Sequence, residues 1–226
     1  MRAPGKVVVF EGGEGVGKTT QIGRLSKSMF AREIPHLLAR EPGGTPLGGE
    51  IRHILLDPAR EDMVPRAEAL LFMASRAQLV ESQIRPAVAQ GDFVLLDRFF
   101  LSTYAYQVAG RGLPEDEIRA ANRFATGGLV PDLTLLLELP DSEGIARAEG
   151  RNGELDRIER SSDGFHDRVA AAFSRFSDPD VQRAYPECGP IVRVDARGAE
   201  AEVASRILET LASKWPETFG PLLRSH

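Results

Sequence analysis

The chain has 226 residues, 42% of them hydrophobic, and 22 glycines; a chain this long buries roughly 70% of its unfolded surface and needs no disulfide or metal staple. Its one cysteine, Cys188, closes no internal bridge, which fits a reducing compartment such as the cytoplasm. A net charge of −5 argues against a protein that coats nucleic acid, and the longest apolar run, 69–74, is too short to cross a membrane.

Residues 1–6 carry no apolar stretch behind a basic start, so no secretory signal is expected. Segment 6–10 (KVVVF) is short, β-branched and followed by glycines, and reads as a buried strand. A helix is expected over 19–32, a second strand over 36–39 and a helix over 46–56. The longest helical pattern covers 65–90, with Leu70, Leu71, Met73 and Ala74 on its apolar side. A third strand, 93–96 (FVLL), ends at Asp97. Helices are expected over 99–108 and 114–125, a strand over 133–139 (LTLLLEL), a helix over 166–176, a strand over 191–194 (IVRV) and a helix over 200–214. Residues 214–226 read as a short tail.

Strand and helix alternate throughout, which predicts an α/β fold with a parallel sheet. The strands are continuously apolar, so the sheet is expected to be covered on both faces. No repeat and no shift in composition divides the chain, so 1–226 reads as a single domain. Segment 143–160 is polar and contains Arg147, Arg151, Arg157 and Arg160. It reads either as a solvated connection or as a lid over a site. His36, His53, His166 and His226 have no metal-ligand spacing.

Directly after the first strand comes Gly12-Gly13-Glu14-Gly15-Val16-Gly17-Lys18-Thr19-Thr20, which matches the phosphate-binding pattern G-x-x-x-x-G-K-[ST]. Its glycines let successive backbone N–H groups curl round a phosphate, and the start of the next helix adds partial positive charge. In such a loop Lys18 reaches the β- and γ-phosphates and Thr19 holds Mg²⁺. The motif predicts a nucleoside triphosphate site but leaves open where the γ-phosphoryl group goes. From the residues alone, Asp97 and Arg98 read either as a loop ion pair or as a ligand-facing pair at a strand's carboxyl end, where a guanidinium clamps a phosphate.

Three further blocks narrow the choice. Arg40-Glu41-Pro42-Gly43-Gly44-Thr45, Asp97-Arg98-Phe99 with Ser102-Thr103-Tyr104-Ala105-Tyr106-Gln107, and Gly153-Glu154-Leu155-Asp156-Arg157, taken with the phosphate loop and Pro131-Asp132, resemble the thymidylate kinase family along nearly the whole chain. The resemblance implies a three-layer P-loop NTPase fold with a five-stranded parallel sheet and a short lid. It implies transfer of the γ-phosphoryl group of ATP to dTMP with Mg²⁺, and a homodimer.

For the acceptor site, the resemblance implies that Arg98 holds the dTMP phosphate, Phe72 stacks on the thymine and Arg76 bonds its carbonyl edge. Thr103 and Gln107 take part in base recognition, Tyr106 crowds the ribose 2′ position, and Glu14 faces the sugar. Glu41 and Pro42 belong to a tight turn beside dTMP, and Asp97 orients a Mg²⁺-bound water. Spacing alone reads Phe72 as core and Arg76 as solvated. Gly15 stands where some relatives carry a basic residue, which implies a transition-state arginine from the lid: Arg151 first, then Arg147 and Arg157, the last reading equally as structural. Asn152 stands where the family carries an arginine, and Phe99 where it carries tyrosine or histidine.

Overall fold

The computed structural model of the chain describes residues 4–140, 143–144 and 155–223. Strand β1 (Lys6–Glu11) leads through the glycine-rich loop into helix α1 (Lys18–Phe30), and β2 (His36–Arg40) into α2 (Pro46–Leu56). Helix α3 (Pro65–Leu79) continues through a π-turn, Val80–Ile84, into α4 (Arg85–Gln90). The single helix expected over 65–90 is thus interrupted just before Pro86, which has no N–H for the carbonyl one turn back; a wider turn absorbs the misfit. Next come β3 (Phe93–Asp97), α5 (Phe100–Thr103) with a π-helical extension Tyr104–Gly110, α6 (Glu115–Thr126) and β4 (Leu133–Glu138). The chain ends with α7 (Asp163–Arg175), α8 (Pro179–Gln182), β5 (Ile191–Asp195), α9 (Glu200–Lys214) and α10 (Pro216–Leu223).

The sheet has five strands, all parallel, in the order β2-β3-β1-β4-β5. Alternate residues of each inner strand serve opposite faces. Val7 and Val9 of β1, with Val94 and Leu96 of β3, join a core that includes Ala69, Leu79 and Ile118 from α3 and α6 and Phe165 from α7. Val8 and Phe10, with Phe93 and Leu95, join a core under Leu25 and Met29 of α1 and Ile207 and Leu211 of α9. Both faces are covered, which is why the strands carry no polar alternation. Each large side chain withdrawn from water here contributes about 1.5–3 kcal/mol.

Two expectations need correction. Leu70 and Ala74 face outward, and the buried stripe of α3 is Glu68, Ala69, Met73, Ser75, Arg76 and Leu79. Part of the tail forms α10, whose Phe219 and Leu222 complete the second core. The strands also run one residue further than their apolar runs, so that Glu11, Arg40, Asp97 and Asp195 end β1, β2, β3 and β5. The polar carboxyl edge of the sheet is where ligands bind in open α/β folds.

Candidate active site

The glycine-rich loop bridges β1 and α1. Its backbone needs left-handed geometry at Gly12 and Gly15, with φ of 137° and 70°. A Cβ at position 12 would overlap the Leu137 carbonyl oxygen, and one at position 15 would overlap that of Gly144. Gly15 therefore sits directly beneath the start of the 143–160 segment. Lys18 opens α1 and folds back over the loop, donating to the carbonyl oxygens of Gly12 (3.0 Å) and Gly13 (2.6 Å). Burial, reinforced by the Arg98 charge, pulls its ammonium down to about 7 against Asp97, Glu11 and Glu14.

Thr19 Oγ1 donates to Asp97 Oδ2 at 2.7 Å. This hydroxyl and carboxylate form a hard oxygen pair at a helix N-terminus, the donor chemistry that Mg²⁺ takes up beside phosphate oxygens. Among the described residues no cluster of three His, Cys, Asp or Glu gathers to hold a metal, so a cation here would rely on this pair and on a ligand's oxygens.

Arg98 follows β3 with φ 68°, a conformation that costs a non-glycine residue of order 1–3 kcal/mol and persists only when its surroundings fix it. They do so here. Its N–H donates to the Phe10 carbonyl at 3.0 Å. Its Nη1 donates to the Gly12 carbonyl (3.1 Å) and to Ser102 Oγ (2.9 Å), and its guanidinium lies 5.3 Å from the Tyr106 ring centroid. Glu11, fully buried at the end of β1, holds the other side of the turn. It accepts from the Phe99 and Ser102 N–H groups at 2.8 and 3.1 Å and from Ser102 Oγ at 2.6 Å. Sequence reasoning gave Glu11 no role. Its only signal was an acid ending an apolar strand beside the phosphate loop.

A second group lies across the cavity. Arg76 is buried and encircled: Nε donates to Glu41 Oε2 at 2.7 Å, Nη2 to the Phe99 carbonyl at 3.0 Å, and Nη1 to Asn122 Oδ1. The Phe99 ring lies 4.8 Å from its guanidinium carbon. Arg76 is therefore a fixed donor platform, against the solvated position that spacing alone suggested. Burial pushes Glu41 up in pKa while Arg76 pulls it down, and the Glu41–Pro42 bond is cis. Tyr106 donates to Glu14 Oε1 at 3.2 Å; burial and that carboxylate push its hydroxyl up, keeping it protonated. Thr103 is buried, with Oγ1 on the Phe99 carbonyl at 3.4 Å. Phe72 is half-buried against the first core.

One cavity of about 420 Å³ brings these groups together. It is lined by Glu14, Gly15, Lys18, Thr19 and Thr20 from the phosphate loop and by Asp97 and Arg98 from the sheet edge. Glu41, Pro42, Phe72, Arg76, Thr103, Tyr106 and Gln107 form its far wall. Arg40, Arg52 and Asp156 also line it; the first and last belong to the blocks that carry the family resemblance, but none of the three was given a role from the sequence. Arg157, one of the three lid candidates, is not a lining residue. It is 8% exposed, donates from Nε to the Leu55 carbonyl at 2.8 Å and pairs with Glu68 Oε2 at 2.8 Å. That is the structural alternative left open above. Arg147 and Arg151 lie outside the described residues.

A family model described as thymidylate kinase matches residues 10–184. A thymidylate kinase of Carboxydothermus hydrogenoformans is 48% identical over 75% of this chain and 82% of its own. One from Lactobacillus delbrueckii subsp. bulgaricus is 42% identical over 95% and 99%, respectively. One from a Synechococcus species is 44% identical over 92% and 95%.

Proposed function

The chain belongs to the thymidylate kinase family, and from that premise we propose that its two substrates meet end to end in this one cavity, where the γ-phosphoryl group of ATP passes to dTMP to give dTDP and ADP. The observation that carries this reading is the cavity's two-sided lining. A phosphate loop with Lys18 and Thr19 forms one wall, Phe72, Arg76 and Gln107 form the other, and Arg98 stands at the sheet edge between them.

An oxygen of the dTMP phosphate attacks the γ-phosphorus while the bond to the β,γ-bridging oxygen breaks, leaving ADP. A phosphate monoester loses its second proton near pH ~6, so the attacking oxygen is already ionised at neutral pH and no strong general base is required. Lys18, released from the Gly12 and Gly13 carbonyls, stabilises charge on the β- and γ-phosphates, and the loop's N–H groups cradle them. Arg98 holds the acceptor phosphate, with Glu11 and Ser102 fixing its turn. Phe72 covers the thymine face, while Arg76, Thr103 and Gln107 read the base. Glu14 and Tyr106 close on the sugar. Thr19 and Asp97 are the residues that hold Mg²⁺, which when bound neutralises phosphate charge. Arg151 and Arg147 supply lid charge to the transferring group.

We read the protein as a single cytoplasmic domain acting as a homodimer. No helix among the described residues is long and apolar enough to cross a membrane. Helices α3 and α6 pack together yet leave Leu70 65% and Phe124 90% exposed, apolar surface suited to a second copy. Sedimentation showing only monomer at micromolar protein would contradict the dimer. The function is tested by following ADP release with ATP–Mg²⁺ and a panel of nucleoside monophosphates. Fastest turnover is expected with dTMP; turnover of thymidine but not dTMP would identify a nucleoside kinase instead.

A further inference from the structure

Glu68 lies in the first turn of α3 and is 1% exposed, yet its carboxylate gathers three side chains, two from the π-helical stretch after α5 and its cap and one from beyond β4. Arg111 grips both oxygens, Nε to Oε1 at 3.1 Å and Nη2 to Oε2 at 3.0 Å. Arg157 pairs with Oε2 at 2.8 Å, and Gln107 donates from Nε2 to Oε1 at 3.0 Å. Arg111 is itself held over the Phe165 ring, 4.2 Å from its centroid. The hydrogen bonds from Arg111 and Gln107 hold Glu68 below its usual carboxylate range despite burial. A buried carboxylate gripped on both oxygens by a guanidinium has one orientation.

Gln107 lines the cavity. An amide presents a carbonyl acceptor on one side and an NH₂ donor on the other, and the two are interchangeable by rotation unless something selects between them. Glu68 accepts but cannot donate when ionised, so it takes the NH₂ side. We infer that Glu68 is a positioning residue that sets base specificity: by fixing the Gln107 amide, it leaves the carbonyl oxygen as the group offered to the acceptor base. This rests on the function proposed above. Thymine and uracil carry an N3–H donor that satisfies such an acceptor. Cytosine carries a lone pair at N3 and would face it unpaired, and a site that leaves a buried polar group unpaired discriminates strongly.

The test is E68Q, in which a new NH₂ can donate to Gln107 and allow its amide to turn over. Steady-state kinetics with dTMP, dUMP and dCMP would be measured on protein shown to be folded by circular dichroism. The ratio of kcat/KM for dTMP over dCMP is expected to fall about tenfold or more. The change should lie mainly in the KM for dTMP and dUMP, with kcat for dTMP nearly unchanged. The double variant E68Q/Q107E, whose carboxylate again presents an acceptor, is expected to regain part of the ratio. A purely structural role lowers turnover of all three substrates together, so a folded E68Q with an unchanged ratio overturns the inference. If E68Q does not fold, E68A, which removes the acceptor that selects the NH₂ side of Gln107, is read by the same ratio, with the same two outcomes. A wild-type protein inert toward dTMP overturns the function reading itself and is recognised before any variant is made.

Discussion

Thr19 Oγ1 and Asp97 Oδ2 stand 2.7 Å apart, although 78 residues separate them in the chain. The parallel register of β1 with β3 sets Phe10 beside Asp97, which brings the phosphate loop and the end of the third strand to one point on the sheet's edge. If that pair holds Mg²⁺, D97N should weaken the metal rather than the nucleotide. The Mg²⁺ concentration at half-maximal rate should rise, and kcat should fall about 10²-fold or more, as expected when a metal's charge is lost from a phosphoryl transfer. Metal-free nucleotide binding, followed by calorimetry in EDTA, should change little. An unchanged Mg²⁺ dependence would remove Asp97 from the metal site.

Arg98 is fixed by contacts on all sides, so its loss should act on one substrate. R98A is expected to raise the KM for dTMP about 10²-fold, the scale of a buried charge-assisted phosphate contact, while ATP affinity stays within a few-fold of wild type. R98K should recover little, because an ammonium cannot reproduce a planar two-pronged grip. Equal losses for both nucleotides would show that the residue supports the loop rather than the acceptor.

The sheet, its covered faces and the phosphate loop were legible because they depend on local pattern: apolar runs, glycines and a lysine at fixed spacing. The acceptor wall was legible only in part. Phe72 and Arg76 lie four residues apart on one helix, but spacing could not say that Glu41, Asn122 and Phe99 bury the arginine. Glu11 and Glu68 went unread because their roles depend on partners 39 or more residues away in sequence, which periodicity does not encode. Pro86 was visible, yet a π-turn lets the helix continue past it, so its effect depended on the tertiary setting.

Arg157 separates two readings of the lid. If it anchors the segment's return to Glu68 and the end of α2, R157A should lower stability by about 1–3 kcal/mol, the cost of losing the buried pair and the donor to the Leu55 carbonyl while Arg111 and Gln107 still satisfy Glu68. The folded fraction should retain kcat within a few-fold. A transition-state arginine would show the reverse, a loss of about 10³-fold in kcat with little change in stability. Thermal unfolding and kcat at saturating substrates distinguish the two.

The Glu68 cluster also sets a pH dependence. A carboxyl group held below its ordinary value of 4.5 binds fewer protons when folded than when unfolded. Its stabilising effect is therefore complete above about pH 4.5 and is lost as pH falls through the depressed value. Wild-type unfolding free energy, measured in urea from pH 7 down to 3, should decline along this limb. E68Q, or E68D if the amide does not fold, should start lower at pH 7. For E68Q the decline below pH 5 should be shallower, because the group responsible is gone. Parallel wild-type and E68Q curves would assign the acid sensitivity to other carboxylates.

Gly15 and Gly144 meet backbone to backbone, and the two should respond differently to a methyl group. At Gly15 the backbone is left-handed and an added Cβ overlaps the Gly144 carbonyl oxygen. G15A therefore pays about 1–2 kcal/mol in local conformation and must also push residues 143–144 off the loop. At Gly144 the same methyl meets, among the described residues, the Glu14 carbonyl oxygen at 3.0 Å, a contact that a few tenths of an ångström relieves. If residues 143–160 form a lid, G15A should lower kcat about tenfold or more, since displacing its start at 143–144 admits water to the site. ATP hydrolysis without transfer should rise relative to dTDP formation, while G144A stays within a few-fold of wild type. Both are read by assaying ADP and dTDP in the same reaction. An equal, mild response at the two glycines would mean that the lid does not depend on this contact.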